Sequence, residues 1–462
     1  MYLKKTLEEY SNKDIYPFHM PGHKRQLIEE NPYAYDMTEV DGVDDLHDPS
    51  GPILEEEKRI ARIYKSDKSF ILVGGSTVGN LAAIYGSLDE GDTIIIARNS
   101  HKSIYNAATI RHLNIEYIYP NIDSNGIYLA VSYKEAVEAI AKYPKAKALI
   151  ITSPTYEGYN SPIQDIAQLC HENNMLLIVD QAHGAHLGFN ENFPKSAVED
   201  ADITVMSLHK TLPCLTQTAV LHINGTMVSE RRIREALDIF ETSSPSYVLM
   251  SSVSRCMDIM ENSGEYFKRY VDNLTDFYET GSKLQHLEII NDTSQNKDIG
   301  KIVISTRNTN ITGVQLAEML RKEYKIETEM SSFSYLIAMT SISDTKVGFS
   351  RLKSALLDID AKISDGFQNI PYIEISPKKV IELYQAKVNA DESVVLLDDA
   401  VGKISGAMVC LYPPGAPIVL PGEKIQSEII DLIRKAKGTG IHVTGIDGDS
   451  IVVVNFKENL YT

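Results

Sequence analysis

The sequence predicts an α/β protein: a mostly parallel sheet in a major domain, followed by smaller α/β C-terminal domains. Three observations carry that expectation. Short apolar runs without alternation recur between residues 70 and 206, as strands covered on both faces require. Helical patterns separate several of them, which is the β/α/β alternation of a parallel sheet. At 462 residues the chain is also too long for one simple core.

The first 50 or so residues are rich in Pro, His, Asp and Gly, have little periodicity, and read as an irregular arm. A helix is expected after Gly51-Pro52, because proline fits a first helical turn and EEEKRIARIYK puts acidic residues early and basic ones late. FILV (70–73) then precedes NLAAIYGSL, and TIIIA (93–97) precedes SIYNAATIRHL. ALIIT (148–152), LLIVD (176–180) and ITVM (203–206) continue the series. Capping patterns signal two helix starts: Ser132 with Glu135 before AVEAIAKY, and Ser161-Pro162 with Gln164 before IAQLCHEN. Residues 250–285 carry a long helical pattern, as for a connecting helix. KIVIS, GVQLAEMLRKEY and YLIAMTSI then form a fresh strand–helix–strand set, and the remainder holds the irregular CLYPPGAPIVLPGE and the helical SEIIDLIRKAKGTG. These breaks divide the chain into an arm with its first helix (1–65), a major domain (66–290), a small α/β domain (291–370) and a C-terminal domain (371–462).

Composition narrows the function classes. A formal net charge of −18 gives no electrostatic reason to bind nucleic acid or an anionic membrane, and suits a cationic small molecule weakly. The four cysteines lie far apart without metal-ligand spacing, which favours free thiols in a reducing compartment. MYLKKTLEEYSNKD lacks the apolar core of a signal peptide, and no apolar run approaches the roughly 18 residues of a membrane span. A cytoplasmic location is expected.

In open parallel sheets ligands bind beyond the carboxyl ends of the strands. Five such ends are polar here: Gly74-Gly75-Ser76-Thr77, Arg98-Asn99-Ser100-His101, Ser153-Pro154-Thr155-Tyr156, Asp180-Gln181-Ala182-His183 and Ser207-Leu208-His209-Lys210. Taken singly, each has a bland reading. GGSTVGN is a turn and cap as readily as an anion site, because it matches neither a P-loop nor a dinucleotide fingerprint. Asp180 closes a deeply apolar strand, where a carboxylate caps a helix, pairs with a cation or binds a ligand. His183 and His186 fit core histidines, and a zinc reading of DxxHxxH lacks a third ligand cluster. Lys210 alone is a surface lysine.

Together they ask for one ligand. It has an anionic group for Ser76, Thr77, Ser207 and His209, a basic ring atom for Asp180, a carbonyl for Lys210 and a flat face for His101. Pyridoxal 5′-phosphate has all four features: a lysine holds its aldehyde as a Schiff base, and a carboxylate keeps its ring nitrogen protonated.

GGSTVGN, RNSHKS, DQAHGAH and SLHK, in this order, resemble the Orn/Lys/Arg decarboxylases, pyridoxal-phosphate enzymes of the aspartate-aminotransferase fold (fold type I). PFHMPGHKR (17–25), DGVDDLHDPSGPI (41–53) and LYPPGAPIVLPGE (411–423) extend the resemblance over nearly the whole chain, in a compact form without an N-terminal wing domain. Carried over by motif, the resemblance implies that Lys210 holds the coenzyme, Asp180 pairs with its ring nitrogen and His101 stacks on its ring. It further implies that Ser76, Thr77, Ser207 and His209 bind phosphate, and that His183 lines the ring edge. Glu423 falls in the tail motif and is expected on the substrate side, against an exposed loop glutamate as the alternative. Thr242-Ser243-Ser244 is placed to reach a partner subunit's phosphate in a homodimer, and His19–Lys24 either enters the site or forms a turn. Two departures stand out: Gly-Gly-Ser-Thr replaces the usual Gly-Thr-Ser order, and Gln181 follows the aspartate.

The activity implied is α-decarboxylation of a basic amino acid within polyamine biosynthesis, arginine first, with lysine and ornithine close. The competing readings are another reaction of the same coenzyme, such as transamination, and a catalytically silent homologue serving as a binding subunit. No metal is expected.

Overall fold

The computed structural model describes residues 14–24, 31–40, 42–291, 296–367, 376–388, 390–412 and 416–455. Arg25, Asp41 and residues 413–415 of the motifs quoted above lie outside them.

The arm contributes one short strand, β1 (Tyr16–Phe18). The helix Pro52–Tyr64 follows, with Pro52 in its first turn, Glu55 early and Arg62 late. Seven strands then form the large sheet: β2 (Lys68–Leu72), β3 (Thr93–Ala97), β4 (Asn114–Ile118), β5 (Ala148–Thr152), β6 (Leu176–Asp180), β7 (Ile203–Ser207) and β8 (Ala219–Ile223). Their spatial order is β2-β8-β7-β6-β5-β3-β4. The contacts from β4 to β7 are parallel, and β8 runs antiparallel between β7 and β2. Strands β4 and β8 were not anticipated. The sequence NIEYI lies half-buried at the sheet edge, and AVLHI follows too soon after β7 for a crossover helix.

Alternate residues of each run enter opposite cores. Ile94, Ile96, Ile150, Ile178 and Val205 face the helices Gly75–Ser87, Lys102–Ile110 and Glu230–Phe240. Ile95, Leu149, Ile151, Leu177 and Val179 face Tyr133–Lys142 and Ile163–Glu172. Each such side chain contributes about 1.5–3 kcal/mol by leaving water, so a one-residue slip in register would exchange the two cores.

Ser132 and Glu135 form the expected capping box. The second expected box does not form. Pro162 is the N-cap of Ile163–Glu172, and the Ser153 hydroxyl accepts from the Ser161 N–H, which redirects the chain before the helix starts. The long helix expected over 250–285 is two, Tyr247–Glu261 and Gly264–Tyr278. Asn262-Ser263-Gly264 breaks it, since Asn and Ser compete for backbone hydrogen bonds and Gly costs about 1 kcal/mol in a helix.

Beyond β9 (Glu288–Ile290), the strands β10 (Lys301–Ser305), β11 (Ile326–Thr328), β12 (Met330–Ser331) and β13 (Tyr335–Met339) surround the helix Gly313–Tyr324. An antiparallel sheet takes the order β12-β13-β10-β9, while β11 pairs in parallel with β1 of the arm. The remaining strands form two three-stranded antiparallel sheets about the helix Ser427–Gly438, with a core of Val409, Val419, Ile429, Ile433, Ile451 and Val453. The tail stretch read as irregular thus contributes the strands Val409–Tyr412 and Pro417–Val419. No helix among the described residues is long and apolar enough to cross a membrane.

Candidate active site

The ends of β2, β3, β5, β6 and β7 converge on a cavity of about 370 Å³. Ser76, Thr77, His101, Asp180, His183, Ser207, His209 and Lys210 all line it.

One end suits an anion. The helix Gly75–Ser87 starts at Gly74 with no side chain capping its first N–H groups, so those donors are left for a ligand. Gly75 takes φ +75°, a conformation that favours glycine and opens the turn. Ser207 Oγ donates to Ser76 Oγ at 2.9 Å and ties β7 to this turn. His209 Nδ1–H is committed to the Thr218 carbonyl at 2.9 Å, so its Nε2 carries the lone pair. Burial lowers the His209 pKa to about 4, so this imidazole is neutral until an anion draws a second proton to it.

Asp180 is buried at the end of β6. Its Oδ1 accepts from the Ala182 N–H at 3.1 Å and its Oδ2 from Asn80 Nδ2 at 3.1 Å. Asn80 Nδ2 also donates to Ser103 Oγ at 2.9 Å, and that hydroxyl lies 2.9 Å from His101 Nδ1. The Ser103 backbone N–H donates to the same Nδ1, so His101 caps its own helix and keeps its proton on Nε2. Burial depresses the His101 pKa, with Asp180 opposing. Asn80 lies inside GGSTVGN, one turn along the helix, where only the hydroxyls drew notice.

Lys210 Nζ lies 3.0 Å from His183 Nε2, and burial lowers its pKa against the pull of Asp180. His183 packs on Tyr156 with ring centroids 4.6 Å apart, and its Nδ1 lies 3.2 Å from Lys301 Nζ. Glu329, also on the wall, accepts from Tyr156 OH at 2.7 Å and from the Met20 N–H at 2.9 Å. Glu157 accepts from Tyr335 OH at 2.8 Å, and burial raises its pKa. Sequence reasoning missed Asn80, Glu157, Lys301 and Glu329. Of these, Glu157 alone follows closely on an apolar run.

The arm reaches the site. Met20 lines the cavity, the Gly22 N–H donates to the His209 carbonyl at 2.7 Å, and Lys24 Nζ donates to the His19 and Met339 carbonyls. A Cβ on Gly22 would stand 2.6 Å from the Leu212 carbonyl oxygen, which explains the glycine.

One expectation is corrected. Glu423 does not line the cavity, nor is it an exposed loop residue. It is buried, and its Oε2 accepts from Arg98 Nη2 at 3.0 Å and from the Leu420 N–H at 2.7 Å. Burial works against the Arg98 charge, and the Glu423 carboxylate together with Tyr105, Tyr117 and Tyr119 outweighs it. Thr242-Ser243-Ser244, expected to reach a partner subunit's phosphate, is exposed and lies off this chain's own cavity wall, with the Thr242 carbonyl accepting from His47 Nε2 at 2.8 Å.

The residues present fit pyridoxal phosphate. An uncapped helix start with hydroxyls takes a phosphate, a fixed buried carboxylate takes a protonated ring nitrogen, and a lysine amine takes an aldehyde. Thr152 Oγ1 on the wall is buried without a hydrogen-bond partner among the described residues, and so is open to a ligand.

Comparison with known proteins agrees. A family model described as "Orn/Lys/Arg decarboxylase, major domain" matches residues 2–302, and "Orn/Lys/Arg decarboxylase, C-terminal domain" matches residues 361–450. The chain is 30% identical over 468 residues to an arginine decarboxylase of Halalkalibacterium halodurans, covering 94% of this chain and 92% of that protein. The Francisella novicida lysine decarboxylase superposes with a TM-score of 0.78 at 20% identity, covering 98% of this chain and 83% of that one. An alanine–glyoxylate aminotransferase from Nostoc shares the fold more loosely, with a TM-score of 0.54 at 14% identity over 68% of this chain and 88% of that one.

Proposed function

The chain belongs to the Orn/Lys/Arg decarboxylase family, with an aspartate-aminotransferase-like fold, and from that premise we propose that it converts arginine to agmatine and carbon dioxide with pyridoxal 5′-phosphate. It is a carboxy-lyase for a basic amino acid. The relative named arginine decarboxylase supports arginine, with lysine and ornithine as the nearest competitors. The observation that carries the reading is the convergence of eight polar strand-end residues on one cavity.

When bound, the coenzyme supplies an aldehyde for amine capture and a ring that accepts the electron pair released as the carboxylate leaves. Lys210 would hold it through its amine. Asp180, fixed by Asn80 and Ala182, keeps a proton on the ring nitrogen and so maintains the electron demand. His101, fixed through Ser103, would pack against its ring. Ser76, Thr77, Ser207 and His209, all on the cavity wall, would hold the phosphate, and His183 would line the ring edge. A proton is returned to substrate Cα by Lys210 or His101, two titratable groups of the cavity wall.

Residues 66–290 serve as the coenzyme domain on this reading, with 1–65, 291–370 and 371–462 as arm, small domain and C-terminal domain. The protein acts in the cytoplasm as a homodimer, feeding polyamine biosynthesis. Incubation with arginine, lysine and ornithine tests the activity. Agmatine with carbon dioxide is expected from arginine, and keto-acid formation would refute decarboxylation in favour of transamination. Lys210→Ala should abolish the visible band of covalently held coenzyme together with turnover. A purified chain without any coenzyme spectrum would point to a silent homologue.

A further inference from the structure

His183 stands between two lysines, its Nε2 3.0 Å from Lys210 Nζ and its Nδ1 3.2 Å from Lys301 Nζ. An ammonium only donates, and a neutral imidazole has one N–H and one lone pair. With both lysines protonated, one of the two contacts sets hydrogen against hydrogen, whichever tautomer His183 adopts. A protonated His183 would make both contacts repulsive, and burial, reinforced by the two lysines, holds its pKa far below the ordinary value. One lysine must therefore offer a lone pair.

The surroundings decide which. Lys301 is 1% exposed, and its Nζ also donates to Met339 Sδ at 2.8 Å. Burial lowers its pKa to about 8, the buried Asp298 carboxylate is the largest influence sustaining its charge, and the Lys210 and Lys24 charges press against it. Lys210 faces the cavity, with His183 as its hydrogen-bond partner. Lys301 donates to a second acceptor, Met339 Sδ, whereas His183 is the hydrogen-bond partner of Lys210 among the described residues, which favours Lys301 as the cation and Lys210 as the amine.

We propose that Lys301 is a positioning residue: its ammonium fixes His183 as the Nε2–H tautomer, and that N–H holds Lys210 as a neutral amine poised for the coenzyme aldehyde. The inference rests on Lys210 being the coenzyme-bearing lysine. In the capture step the Lys210 lone pair forms the bond to the aldehyde carbon. The aldehyde oxygen leaves as water with the two amine protons, and no oxidant or reductant is needed. Asp180 and Glu329 face Lys210; Asp298, Glu329 and Lys24 face Lys301. His101 and His209 face His183, and burial lowers the pKa of each.

The test measures the pH dependence of coenzyme capture rather than turnover. The coenzyme-stripped full chain is mixed with pyridoxal phosphate across a pH series and reduced with borohydride. The modified Lys210 peptide is then quantified by mass spectrometry. Lys301→Met removes the charge at similar volume, and Lys301→Arg keeps it. K301M should raise the pH midpoint of fixation by about one unit, a roughly tenfold slower capture below the midpoint, with K301R close to the wild type. An unchanged K301M midpoint, or equal shifts in both variants, would overturn the proposal. Fixation on a lysine other than Lys210 overturns the coenzyme-lysine assignment, and this inference with it. A ¹⁵N-histidine spectrum of the wild-type chain, with the His183 signal identified through His183→Gln, needs no Lys301 variant: protonated Nε2 is expected, and protonated Nδ1 would overturn the arrangement.

Discussion

Replacing Glu423 by alanine leaves the Arg98 guanidinium, 4% exposed, without its counter-charge. Arg98 keeps the Pro417 carbonyl at 2.7 Å and the faces of Tyr105 and Tyr117, so the loss is one of charge pairing rather than of every contact. The Leu420 N–H also loses its acceptor at 2.7 Å. Removing one partner of a buried ion pair costs about 3–5 kcal/mol, and an orphaned buried N–H adds about 1 kcal/mol. With a urea slope of about 3 kcal/mol per molar, a loss of about 4–6 kcal/mol lowers the midpoint by roughly 1.3–2 M. Glu423→Gln keeps a neutral acceptor and should lose about half as much. The assay is urea unfolding followed by far-ultraviolet circular dichroism, run beside steady-state kinetics on arginine. A lowered midpoint with a KM within about twofold of wild type is expected. An unchanged midpoint with a KM raised tens of fold would refute the structural role and restore Glu423 to the substrate.

Asn80→Ala removes the donor shared by Asp180 and Ser103, and coenzyme affinity, read by absorbance titration, should fall roughly tenfold, equivalent to about 1.4 kcal/mol; unchanged affinity would free Asp180 from any dependence on Asn80. Burial lowers the pKa of His209 to about 4 and of His222 to about 3, both from 6.5, so the unfolded chain takes up protons first as pH falls. Their contribution is complete above pH 6.5 and is lost as the pH falls toward 4, about 3 kcal/mol for each over that window. Urea midpoints across this range should decline, and less steeply in His222→Gln; parallel profiles would exclude His222 from the effect. Ser132→Ala opens the capping box of Tyr133–Lys142 and should cost about 1 kcal/mol, read as faster amide exchange in that helix, whereas unchanged exchange would show the cap to be energetically idle.

The strand ends were legible in the sequence because a parallel sheet collects them at one edge. Ser76, His101, Asp180 and Lys210 each follow closely on an apolar run, and that position alone brings them together. Lys301 opens β10 and Glu329 sits between β11 and β12, in a sheet whose docking onto the cavity has no signature in local periodicity. Asn80 was hidden differently: it looks like an ordinary helical asparagine until Asp180, from a strand 100 residues later, meets it. Glu423 misled because a carboxylate in a polar tail motif looks accessible, and its Arg98 partner, 325 positions away, is found only in the fold. Strand β8 was missed because turning back beside β7 is a topological choice, and the composition of AVLHI is the same for either direction.

The pairing of β1 with β11 also sets an order of assembly. Tyr16 lies beside Ile326, so the segment carrying Met20 and Lys24 leaves the ribosome some three hundred residues before its strand partner. At about 5–20 residues per second, that is an interval on the order of 15–60 s. Strands β2 to β8, with Lys210 among them, are complete about a hundred residues earlier than β11. During synthesis the Gly22 N–H can therefore meet the His209 carbonyl early, while the Met20 N–H gains its acceptor only after Glu329 has emerged. A three-residue strand thus makes the arm's last hydrogen bonds a late event in synthesis.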